Sequence, residues 1–239
     1  MVTFETMNEL TLRVTCRGND VIYTKAGAFI AGDSITRNYQ FEKVLLGPEG
    51  NFGQALLGSL VRRATGENIP LMKVTMNGDS VTYYANQGQH VVVYQLAQGE
   101  MISVESENLL AFSSDCRYNV RFIGVGVFSQ KGLATTTLTG NGPNAFVAII
   151  TNGNPLALSN ANTGNTITVD PDAVICWMGY GDCDPAIKAD MNWKTLIGQS
   201  SGESYMFEWN RNNPVTVIVQ PSERGGNYTG RANIRVGMD

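Results

Sequence analysis

The chain has 239 residues, 43% of them hydrophobic and 16% charged, with a formal net charge of −4. That length allows one large β domain or two to three small ones, with a real core in either case, and the composition excludes a disordered chain. A weakly acidic chain sets up no general field that draws in nucleic acid or an anionic membrane, so no nucleic-acid partner is expected.

The opening stretch, MVTFETMNELTLRV, carries acids and lacks the basic, apolar order of a signal peptide. No apolar run approaches the length of a membrane span, and the reading is a soluble, cytoplasmic protein. Cys16, Cys116, Cys176 and Cys183 form no Cys-x-x-Cys pair and look like scattered thiols of a reducing compartment.

The first predicted strand is LTLRVTCRG (10–18), an alternating run into a glycine turn. VIYTKAGAFIAG (21–32) follows as a short strand, a polar turn and an apolar strand. The same order returns without a gap in MISVESENLLAF (101–112) and TITVDPDAVICW (166–177). Ile22, Ile102 and Ile167 coincide, as do Ala28, Asn108 and Ala173, then Phe29, Leu109 and Val174, then Ile30, Leu110 and Ile175. VVVYQLAQG (91–99) and PLALSNANTG (155–164) precede the later two segments, as LTLRVTCRG precedes the first. Residues 66–85, 130–149 and 202–220 come after them and read as hairpins, with Asn77-Gly78, Asn141-Gly142 and Asn212-Asn213-Pro214 as turns.

One segment breaks the β pattern. Phe52, Leu56, Leu60 and Ala64 fall four apart and predict an amphipathic helix near 52–65, with Arg62 and Arg63 in its last turn. The expected fold is therefore all-β, in three similar tandem units about a pseudo-threefold axis, with one short helix. The units run over residues 1–88, 89–153 and 154–221, and a C-terminal tail covers 222–239.

The ordered pieces KAGAFIAGD, LLGSLVRRATGENIPLMKV, LLAF with YNVRF, TLTGNGP, ITVDPDAVICW and VIVQPSE carry a likeness. Over about residues 10 to 223 the chain resembles the mitochondrial-biogenesis family named for altered inheritance of mitochondria. The resemblance implies a triplicated β unit like that of the tryptophan RNA-binding attenuation protein, in the double-stranded β-helix class. It implies no catalytic residues, and it links the mitochondrial members to inner-membrane organisation. This chain departs from the family in its glycines: GPEGNFGQ stands where a longer glycine run is common, and GENI, QKGL and GESY stand where Gly-Glu-Gly-Leu is common.

Several residues still invite chemistry. His90 is the single histidine, so any histidine triad or metal scheme must use it, and it reads as the end of a half-buried strand. Asp170, Asp172, Cys176, Asp182, Cys183 and Asp184 gather thiols and carboxylates that suit a metal. Yet Asp170 and Asp172 align with Lys25 and Gly27 and with Glu105 and Glu107, and Cys176 aligns with Ala31 and Ala111. A polar turn and a small buried residue explain the positions. Arg62 and Arg63 suit lipid headgroups or RNA, or simply a helix end. RGGNYTGRANIR (224–235) is a basic run within the tail.

The expected function is a non-catalytic scaffold or interaction protein, without catalytic residues, metal or cofactor. Its partner is another protein or a second copy of itself. The alternative is a β module that holds a small molecule between its repeats; an enzyme or an RNA-binding protein ranks below both.

Overall fold

The computed structural model describes residues 1–44, 71–122, 134–189, 205–212 and 214–221, which form nineteen strands and two three-residue 3-10 turns. The predicted helix with Arg62 and Arg63, and the tail, lie outside the described residues. The first third of the chain holds β1 (Val2–Met7), β2 (Thr11–Cys16), β3 (Asn19–Lys25), β4 (Phe29–Asp33), β5 (Tyr39–Val44), β6 (Leu71–Asn77) and β7 (Ser80–Tyr84). The middle third holds β8 (His90–Gln95), β9 (Glu100–Val104), β10 (Leu109–Ser113), β11 (Cys116–Phe122), β12 (Ala134–Gly140) and β13 (Phe146–Thr151). The last holds β14 (Leu156–Ser159), β15 (Ile167–Val169), β16 (Val174–Tyr180), β17 (Ala186–Ala189), β18 (Tyr205–Trp209) and β19 (Val215–Val219).

Alternation makes these strands. In β2 the residues Leu12, Val14 and Cys16 are buried, and Thr11, Arg13 and Thr15 between them are only partly so. A period of two turns one set of side chains onto a core and the other toward solvent. Strand β10 is different: all five residues of Leu109–Ser113 are buried. A strand covered on both faces has no polar side to alternate.

The strands make four antiparallel sheets. The first runs β1-β2-β7-β4, the second β5-β6-β3-β10-β13-β8, the third β11-β12-β9-β16-β19-β14 and the fourth β15-β18-β17. The pairing order recurs along the chain: β2-β7-β4, β8-β13-β10 and β14-β19-β16 run alike, as do β3-β6-β5, β9-β12-β11 and β15-β18-β17. Three hydrophobic cores fill the spaces between successive sheets. Leu12, Val14 and Tyr84 of the first sheet meet Ile22, Val74 and Ile150 of the second. Phe112, Val147 and Ile149 of the second meet Ile102, Leu138 and Ile218 of the third. Trp177 and Val217 of the third meet Phe207 and Trp209 of the fourth.

The segments read as hairpins are not hairpins. Strands β6 and β7 flank Asn77-Gly78, yet β6 pairs with β3 in the second sheet and β7 with β2 in the first. Likewise β12 and β13 separate into the third and second sheets, and β18 and β19 into the fourth and third. Their turns carry the chain from one layer to the next. At the first of them Gly78 has a φ of 133°, a conformation that glycine alone adopts easily. The Gly78 N–H donates to the Gly18 carbonyl at 3.0 Å, and the Gly18 N–H donates to Asp79 Oδ1 at 2.9 Å. Two crossing turns thus run side by side and satisfy one another.

Candidate functional site

The acid-and-thiol stretch does not come together as a site. Asp170 Oδ1 accepts the Asp172 N–H at 2.8 Å and caps the 3-10 turn Pro171–Ala173. The Ala173 N–H donates to the Asp170 carbonyl at 3.0 Å. The same three-residue bond joins Ala28 to Lys25 at 3.2 Å and Asn108 to Glu105 at 2.9 Å. Asp170 and Asp172 are therefore turn chemistry. Cys176 and Cys183 lie in different cores, the former between the second and third sheets and the latter between the third and fourth. Burial pushes the Cys176 thiol well above the usual thiol value, the opposite of what a nucleophile or metal ligand needs. All four cysteines are free and buried. His90 opens β8 with its Nε2 3.6 Å from Glu9 Oε2 at the surface. Among the described residues, no group of three or more His, Cys, Asp or Glu side chains could hold a metal ion.

A different place gathers polar groups. A cleft of about 360 Å³ opens where connections from distant parts of the chain meet. Lys25 at the end of β3 forms one wall with Asn86, Gln87 and Gln89 of the connection from β7 to β8. Glu107 and Asn108, from the 3-10 turn between β9 and β10, form another. Asn152, just after β13, and Gln220, just after β19, complete it.

The walls are held by hydrogen bonds among the lining groups. Lys25 Nζ donates to the Glu107 carbonyl at 2.8 Å, and Asn86 Nδ2 donates to Gln89 Oε1 at 2.6 Å. Gln89 Nε2 in turn donates to Asn152 Oδ1 at 2.9 Å. Partial burial pulls the Lys25 amine below the usual lysine value, and the Glu107 charge opposes that shift. Asn108 is 4% exposed; its Nδ2 donates to the Ile150 carbonyl at 2.8 Å, but its Oδ1 has no partner among the described residues. Gln220 is 3% exposed, and among the described residues neither its Nε2 nor its Oε1 has a partner, although its backbone N–H donates to the Ala173 carbonyl at 2.9 Å.

A buried amide without partners costs about 1–3 kcal/mol. Unpaired polar atoms of this kind call for a hydrogen-bonding partner such as an ordered water or a ligand. Among the described residues, the lining contains no histidine, cysteine or hydroxyl. It offers amide donors and acceptors in fixed planes, with one amine and one carboxylate at the rim. The sequence reading missed this cleft because its members are spread from residue 25 to residue 220. A faint signal existed in the aligned segments: Asn108 is the polar residue where the other two carry Ala28 and Ala173.

The layered antiparallel sheets define the molecule as an all-β protein, with a polar cleft built from the connections between them. The chain belongs to the mitochondrial biogenesis AIM24 family, whose model matches residues 4–222. No curated protein matches the chain. Among solved structures, it is similar to the crystal structure of protein SPYM3_0169 from Streptococcus pyogenes. The two share 17% sequence identity with a TM-score of 0.66, over 93% of this chain and 94% of that one. At that identity the likeness concerns the fold.

Proposed function

We propose that this chain works by binding, as a non-catalytic scaffold or interaction protein of its family, with the amide-lined cleft as its recognition site. We read it as three copies of a six-strand unit, similar in fold to the tryptophan RNA-binding attenuation protein. The four free thiols support a reducing compartment such as the cytoplasm. The observation that carries the proposal is the Gln220 amide, buried at the cleft with both polar atoms unpartnered among the described residues. An amide presents a donor and an acceptor in one plane. That pattern complements the N–H and C=O of a peptide segment. The cleft volume favours a second reading, since 360 Å³ lies within the range of small-molecule sites.

Native mass spectrometry of the protein gently purified from its own source tests both, with Gln220→Leu as the control. A bound protein that is lost from Gln220→Leu supports the interaction reading. An extra mass of a few hundred daltons, lost in the same way, supports the small-molecule reading. Material that binds equally to both chains, or a turnover that Gln220→Leu leaves untouched, overturns the cleft as the functional site.

A further inference from the structure

Strand β4 is the outlier among three aligned strands. Its counterparts β10 and β16 are central strands, each joined on one side to the sheet half contributed by the preceding third of the chain. The joints are β10 to β3 and β16 to β9. Their registers agree position for position. Ala111 faces Thr24, Phe112 faces Tyr23 and Ser113 faces Ile22. Cys176 faces Val104, Trp177 faces Ser103 and Met178 faces Ile102. These are the same aligned pairs one segment later. All three strands also carry the same register shift, at Phe29/Ala31, Leu109/Ala111 and Val174/Cys176. The strand is built alike each time.

Only β4 lacks the joint. Among the described residues it pairs with β7 alone. All five of its residues are exposed. Ile30 is 55% exposed, whereas its counterparts Leu110 and Ile175 are fully buried. Those two pack into the core of the preceding layer. For Ile30 no preceding layer exists among the described residues. At the opposite end of the stack β15 pairs, among the described residues, with β18 alone, while its counterparts β3 and β9 each make the joint. An unpaired edge is a template for another strand. Of the edges left free among the described residues, β4 and β15 are the two whose counterparts are both joined within the chain, and they are the two halves of the same joint.

We infer that β4 of one copy pairs antiparallel with β15 of a second copy, head to tail, with Ala31 facing Val169, Gly32 facing Thr168 and Asp33 facing Ile167. The occupant follows from the chain itself, which makes this joint twice in one register. Gly32 replaces the aromatic that the counterparts Phe112 and Trp177 carry. The Tyr39 ring stands where a Gly32 side chain would be, so the surface behind β4 is already filled. The contact uses a different edge from each copy, so it propagates until a ring closes or a fibre forms. It involves neither the cleft nor Gln220.

Sedimentation velocity on the full chain over a range of micromolar concentrations tests this. Species of two or more copies are expected. Ile30→Lys and Thr168→Lys, both at exposed positions, should each weaken assembly at least tenfold and leave the melting temperature within a few degrees. An equimolar mixture of the two variants should form a one-to-one pair and nothing larger, because each retains one intact edge. A single-copy chain at every concentration overturns the inference. So does loss of assembly with only one of the two substitutions, which would mean that the other edge meets residues 222–239 or a different protein.

Discussion

Strands β16 and β4 occupy equivalent positions in the chain's recurring pairing order, and only one of them is inside the protein. Cys176 and Trp177 are buried between layers, with Trp177 at 1% exposure and its ring 5.7 Å from that of Trp209. In β4 the aligned residues are Ala31 and Gly32, both exposed. The difference teaches that burial here is set by position in the stack rather than by strand type. An inner strand has a layer on either face; an outer one has a layer on one face and water on the other.

Truncating the inner strand should show the largest effect. Trp177→Ala leaves a cavity between the third and fourth sheets and is expected to destabilise by about 3–5 kcal/mol, read by urea denaturation. A matched pair sharpens the contrast. Ile175→Ala should cost about 2–5 kcal/mol, whereas Ile30→Ala, measured at a dilution where single copies prevail, should stay within about 0.5 kcal/mol. Equal costs would mean that β4 is covered in solution as β16 is.

Several buried polar atoms lack a partner among the described residues, and in the Gln220 amide, just after β19, donor and acceptor are both left over. Gln220→Leu removes the unpartnered amide and is expected to stabilise the ligand-free protein by about 1–3 kcal/mol while abolishing recognition at the cleft. A loss of stability would show that the amide is satisfied in solution and is not held for a ligand. A graded effect comes from pH. Burial pushes the Cys116 thiol up from 9.0 to about 12, and Cys176 is raised as well. In the unfolded chain these thiols ionise near pH 9, while in the folded chain they keep their protons. Their stabilisation is therefore fully present below pH 9 and falls as pH rises toward 12, by up to about 1.4 kcal/mol per pH unit for each thiol. Cys116→Ala should flatten that slope in thermal melts between pH 9 and 11.

Much of this fold was legible in the sequence. The ungapped alignment of residues 21–32, 101–112 and 166–177 placed β3 with β4, β9 with β10 and β15 with β16, turns included. Glycines and alternating apolar residues suffice for that because both are local. What the pattern could not show was the partner of each strand. Asn77-Gly78 is the usual signature of a hairpin, but period-two alternation fixes only which face a residue takes, not which sheet the strand enters. The carboxylates of Asp170 and Asp172 and the thiols of Cys176 and Cys183 drew attention as a linear cluster. A strand with both faces buried sends neighbouring residues into separate cores, so nearness in sequence is no guide there. The cleft was invisible for the converse reason, since Lys25, Asn108 and Gln220 meet only after all the layers have stacked.

The turns that pass the chain from layer to layer also set an order for its birth on the ribosome. Every strand of the first sheet has been synthesised once Tyr84 is made, and the second sheet waits for Thr151 to complete β13. The fourth is complete at Trp209 and the third only at Val219. At elongation rates of about 5–20 residues per second, several seconds separate the first sheet from the last. During that interval β5, β6 and β3 stand as half a sheet, with the edge of β3 open until β10 emerges to close it.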